Sequence, residues 1–178
     1  MKLLKKFMPV LLLVASSHGV FGQLSPWSAQ TDSIDSAEVK REEIADSIIN
    51  FAKTFMGTPY VWGGNTPDSG FDCSGFVCYV YKQFNIALPR TSGQQFDAGT
   101  PIPYVEAQPG DLILFAGPKN GPGNPGHVGI VLSFEPETGF SFIHTSSPES
   151  GGVRISNEKS EKYYNKKFLE IRRVITTD

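Results

Sequence analysis

The spacing of apolar residues changes near residue 110, and that change limits the chain to few architectures. Upstream the spacing is helical. From Glu38, residues Val39, Ile44, Ile48, Ile49, Ala52 and Phe55 fall near one face until Gly57-Thr58-Pro59 stops the pattern. A second set, Phe76, Val77, Val80, Tyr81 and Phe84, follows Asp72-Cys73-Ser74-Gly75. It predicts a buried helix over 73–84 with Asp72 as its N-cap. Residues 88–98 are turn-rich, with room for one short helix. Downstream, residues 111–115, 127–134, 139–145, 153–156 and 168–174 read as strands separated by Pro/Gly turns. Helices first and strands afterwards predict an α+β fold: N-terminal helices packed on an antiparallel sheet of about five strands.

The chain opens with a basic start, Met1-Lys2-Leu3-Leu4-Lys5-Lys6, then an apolar run over 7–15 and small residues ending at Gly22. That order predicts a secretory signal peptide over 1–22. The run is shorter than the ~20 residues a membrane span requires, so no membrane span is expected. Residues 23–43 read as a polar lead-in and 44–178 as one domain. Once the three lysines of 1–22 are removed, 13 basic residues stand against 18 acidic ones. No Lys/Arg cluster marks a predicted element, which argues against nucleic acid as a partner. The Lys-rich run 159–167 reads as a solvated surface.

The cysteines are two, Cys73 and Cys78. On one helix their Cα atoms would stand roughly 8–9 Å apart, beyond the ~7 Å limit for a disulfide. A free thiol in an exported protein calls for another explanation. Cys73 in the first helical turn faces unpaired N–H groups and the positive end of the dipole, which would lower its pKa below ~8.5. Such a thiolate is a nucleophile, and its own N–H could receive an oxyanion. The alternative is a small buried hydrophobe, a description that fits Cys78. His127 opens the second strand and His144 ends the third. Paired as a hairpin, these strands would let His144 orient the ring of His127, completing a nucleophile–base–orienter set; the alternative is two structural histidines. No H-E-x-x-H, C-x-x-C, G-x-S-x-G or P-loop pattern occurs, so neither metal nor cofactor is expected.

Six blocks in order then resemble the NlpC-type cell-wall cysteine peptidases: Tyr60-Val61-Trp62-Gly63-Gly64; Phe71-Asp72-Cys73-Ser74-Gly75-Phe76-Val77; Leu88-Pro89-Arg90-Thr91-Ser92-Gly93-Gln94-Gln95; Pro109-Gly110-Asp111-Leu112; Gly126-His127-Val128-Gly129-Ile130; and Phe142-Ile143-His144-Thr145. The resemblance spans about residues 44–175. It implies a papain-like core and hydrolysis of peptidoglycan stem peptides or released murein fragments, typically between D-γ-glutamyl and the following diamino acid. By that resemblance Cys73 is the nucleophile, His127 the general base and His144 the orienting residue. Tyr60 lies beside the thiol, and Asp72, Ser74, Arg90 and Ser92 build the subsites for the stem peptide.

Two of these positions keep a second reading: Asp72 as a helix cap alone, and Arg90 as an ion-pair partner. The signal peptide implies export to the periplasm, or to the extracellular space and cell wall, and a monomer is the expected state. A catalytically silent wall-binding scaffold and other amide or acyl-transfer chemistry are the alternatives. The Pro/Gly-rich loop 116–126 is a candidate wall of the cleft.

Overall fold

The computed structural model describes residues 26–117, 121, 123–147 and 151–177, with side chains from Ser36 onward. The signal peptide expected over 1–22 lies outside them. Helix α1, Pro26–Lys53, starts upstream of the expected Glu38. Its apolar face buries Ala45, Ile48, Ile49 and Ala52. Upstream of Ile44, where the domain was expected to open, Glu38 accepts a hydrogen bond from Gln108 Nε2 at 2.7 Å. Arg41 donates to the carbonyl of Pro109 at 3.2 Å. These contacts tie the polar part of α1 to the turn just ahead of Leu112. Among the described residues no helix is long and apolar enough to cross a membrane.

A two-stranded ladder, β1 Asn65–Thr66 and β2 Gly70–Phe71, leads into α2, Cys73–Lys82. Asp72 caps α2 as the sequence predicts, with extended backbone and its side chain accepting from the N–H of Gly75. Helix α3, Ser92–Gln95, is the short helix expected within 88–98. The main sheet comprises β3 Thr100–Ile102, β4 Leu112–Ala116, β5 Pro125–Glu135, β6 Gly139–Thr145, β7 Val153–Asn157 and β8 Phe168–Arg173. Its order is β3-β8-β4-β5-β6-β7, antiparallel throughout. The strand beyond the expected five is β3, a short edge strand containing Pro101, a residue tolerated only at edges or bulges.

Both faces of the sheet are covered. Phe76, Val77, Val80 and Tyr81 of α2 share a core with Leu112, Leu114, Val128, Ile130 and Ile143. Each such side chain, fully buried, contributes about 1.5–3 kcal/mol. The alternate residues Ile113, Phe115, Val131, Phe140 and Phe142 form a second core with Tyr164 and Ile171. Tyr164 belongs to α4, Lys162–Lys167, so the run read as solvated surface is in part a lid on that second face. The period-2 pleat thus anchors α2 on one side and leaves an aromatic layer on the other.

Candidate active site

Asp72 holds the head of α2. Its Oδ1 accepts from the N–H of Gly75 at 2.7 Å and from Ser74 Oγ at 3.3 Å, and its Oδ2 accepts from the N–H of Gly63 at 3.0 Å. Arg90 closes on the same carboxylate with two N–H groups, at 3.0 and 2.7 Å, and a third contact reaches Ser74 Oγ at 3.1 Å. Asp72 thus caps α2 and pairs with Arg90, and both residues also line the cavity described below. The glycines here are steric necessities, since a Cβ on Gly75 would stand 2.1 Å from the carbonyl oxygen of Gly64.

Cys73 occupies the first position of α2, and both cysteines are free thiols. The backbone N–H groups of Val128, Ser74 and Cys73 itself lie close enough to the Cys73 sulfur to favour its thiolate. Val128 immediately follows His127, so strand β5 delivers that histidine to the head of α2. The expected lowering of the thiol pKa is reversed. Burial, and secondarily the Asp72 carboxylate, push it up to about 11 against the downward pull of the three N–H groups. Cys78 is not the buried hydrophobe expected: it is part-buried, its thiol donates to the carbonyl of Pro89 at 3.1 Å, and its sulfur accepts from Gln95 Nε2 at 3.3 Å.

His127 and His144 meet as the hairpin predicts. His127 Nε2 lies 2.9 Å from His144 Nδ1, with the rings edge-to-face. His144 Nε2 lies 2.9 Å from Ser156 Oγ and 3.5 Å from Tyr164 Oη. Phe115 and Tyr164 flank the His127 ring at centroid distances of 6.0 and 5.9 Å. Burial lowers the His127 pKa to about 4. Burial, then the charges of His127 and Arg154, hold His144 well below its ordinary value. Gly129 makes room for this pair: a Cβ there would stand 2.7 Å from Phe142 Cδ2 and 3.2 Å from His144 Cβ.

One cavity of about 930 Å³ gathers Tyr60, Asp72, Cys73, Ser74, Arg90, Ser92 and His127 along its lining. His144 stands behind His127, fully buried. Tyr60 is near enough to the thiol and to Asp72 for both to raise its pKa, after burial. Trp62 stands at the lip, 88% exposed. Of the loop expected to form a cleft wall, Gly126 lines the cavity; residues 118–120 and 122 lie outside the described set. Sequence reasoning missed Ser156, Tyr164, Arg154 and Glu161. The aromatic pair Tyr163-Tyr164 inside a lysine-rich run was the available signal; Ser156 carried none.

The model of the NlpC/P60 family matches residues 57–173. The chain belongs to the NlpC/P60 family. It is 33% identical over 173 residues to a protein of Bacillus subtilis named gamma-D-glutamyl-L-lysine dipeptidyl-peptidase, covering 94% of this chain and 54% of that one. It is also 33% identical over 145 residues to the murein DD-endopeptidase MepH of Escherichia coli, covering 80% and 50% respectively. It thus spans about half the length of each. Among solved structures, an NlpC/P60 family protein from Bacillus cereus superposes with a TM-score of 0.64 at 35% identity, over 73% of this chain and 40% of that one.

Proposed function

We propose that this NlpC/P60 chain is an exported cysteine endopeptidase that hydrolyses peptidoglycan stem peptides between D-γ-glutamyl and the following diamino acid. One observation carries the reading: Cys73 heads α2 in the cavity that His127 lines, and Nε2 of His127 is held by His144 Nδ1 at 2.9 Å. The names of the relatives, a γ-glutamyl peptidase and a murein endopeptidase, support the substrate class.

The shifts at Cys73 and His127 both favour neutral groups at rest, so the proton moves as the reaction starts. The Nδ1 of His127 takes the thiol proton while the sulfur attacks the γ-glutamyl carbonyl. N–H groups at the head of α2, that of Cys73 among them, receive the oxyanion. His127 then protonates the leaving amine, and water, deprotonated by the same ring, resolves the thioester. For Nδ1 to accept, Nε2 must carry hydrogen and donate to His144 Nδ1; His144 Nε2–H then donates to Ser156 Oγ. Ser156, as the final acceptor, ends the chain that fixes both tautomers.

Tyr60, Ser74 and Ser92 line the acyl side of the cleft, with Asp72 and Arg90 as its charged floor. Residues 1–22 act as the signal peptide that brings the chain to the periplasm or cell wall, and residues 44–178 constitute the peptidase domain. The test is hydrolysis of a defined stem peptide in ¹⁸O-enriched water. The reading requires one ¹⁸O in the γ-carboxyl of the released D-Glu. No cleavage, or transfer of the acyl group to an amine without ¹⁸O uptake, would overturn it.

A further inference from the structure

The cavity carries a charged pair at each end, and the two pairs are built differently. At the Asp72–Arg90 end the charges are spent on one another, on Ser74 and on the N–H groups of Gly63 and Gly75. At the other end stand Arg154 of β7 and Glu161, which immediately precedes α4. Their contact is one N–H···O of 3.4 Å, with side chains 35% and 33% exposed. Glu161 also accepts from the N–H of Asn157 at 3.2 Å, which holds the carboxylate in place. A pair this long and this wet is worth about 0–1 kcal/mol, so a ligand displaces it at little cost.

We infer that Arg154 and Glu161 read the far end of the leaving diamino acid, and that they select a side chain ending in both an ammonium and a carboxylate. The inference rests on the proposed cleavage after γ-D-glutamate, in which the acyl half occupies the Tyr60–Ser92 end. The leaving half then extends past His127 toward Thr145, Arg154 and Tyr163. Arg154 is close enough to the triad for its charge to depress the pKa of His144, within reach of a side chain that begins at the scissile amide. Diaminopimelate ends in an amino-carboxylate, which gives the guanidinium a carboxylate and Glu161 an ammonium. Lysine ends in an ammonium alone. It gains Glu161 but faces the Arg154 charge, and the two effects oppose. The half-exposed Tyr163 ring lines the same end and covers the methylene chain that both side chains share.

The test uses the tripeptides L-Ala-γ-D-Glu-meso-diaminopimelate and L-Ala-γ-D-Glu-L-Lys, with kcat/KM read for wild type, Arg154→Gln and Glu161→Gln. Both tripeptides end in the same α-carboxylate, so only the side-chain terminus differs. Wild type should favour diaminopimelate about tenfold, equivalent to ~1.4 kcal/mol. Arg154→Gln should erase that preference, slowing diaminopimelate cleavage while lysine cleavage holds or speeds up; Glu161→Gln should widen it, because lysine then meets Arg154 alone. A wild-type ratio near one, or an Arg154→Gln variant slowed equally on both substrates, would overturn the inference and leave the cleavage reading standing. Wild type that cuts neither tripeptide overturns the cleavage reading and the inference with it.

Discussion

His127 Nε2 and His144 Nδ1 lie 2.9 Å apart, joining two neighbouring strands at the point where β5 reaches the head of α2. The contact engages Nε2 of the His127 ring, so Nδ1 is the nitrogen left to act as base. Replacing His144 by Ala removes the acceptor and frees the ring to rotate. We expect kcat to fall at least ~10²-fold with KM little changed. A variant with kcat within threefold of wild type would show that Phe115 and Tyr164 hold the ring unaided.

Ser156→Ala tests the next link. His144 Nε2–H would lose its acceptor at 2.9 Å, and the fully buried His144 could then adopt the other tautomer, which offers His127 a donor instead of an acceptor. A kcat loss of about tenfold is expected. Nitrogen NMR shifts of His144 should move from the Nε2–H to the Nδ1–H pattern. Unchanged shifts would place the tautomer under the control of Tyr164 instead.

The neutral resting pair has a pH signature. Alkylation of Cys73 by iodoacetamide should be slow at pH 7 and climb toward its pKa near 11. A plateau already reached below pH 7 would mean a resting thiolate–imidazolium pair. Asp72→Asn removes a negative charge that raises the thiol pKa, so its alkylation curve should shift to lower pH. Stability follows the same shifts. A thiol raised from 9.0 to about 11 is fully stabilising below pH 9 and loses that contribution between 9 and 11. A His127 lowered from 6.5 to about 4 contributes above pH 6.5 and loses it as pH falls toward 4. Urea unfolding at pH 5, 8 and 10 should give its highest midpoint at pH 8.

Much of this arrangement was legible in the residues. Asp72 three positions ahead of Gly75 marked the start of α2, and the two apolar strands opening and closing on His127 and His144 announced their meeting. What stayed hidden is instructive in physical terms. The sign of the Cys73 shift was misjudged because a first-turn position reports the helix dipole, whereas enclosure by β5 and the Asp72 carboxylate arise only from tertiary packing. The early start of α1 was missed because residues 26–38 are mostly Ser, Asp, Thr and Gln, and Trp27 and Ile34 are too few to set a helical period. Ser156 and the Arg154–Glu161 pair could not be seen because their partners lie across the sheet or beyond a turn.

Gly129→Ala probes the packing behind the pair. The added methyl would press on Phe142 Cδ2 at 2.7 Å and on the carbonyl oxygen of Ile143 at 3.1 Å. Backbone cannot yield as a flexible side chain does. We expect a loss of about 1–3 kcal/mol in urea unfolding, together with reduced kcat from a displaced His144. A variant as stable and as active as wild type would show slack that the structure does not contain.

Cleavage of a purified γ-D-glutamyl stem peptide by the Cys73→Ala variant bears most directly on the whole account. With an unchanged circular dichroism spectrum and thermal midpoint, product formation should drop to the uncatalysed background. Cleavage at the wild-type rate by that well-folded variant would contradict the account, because the carbonyl would then be attacked by something other than the Cys73 sulfur.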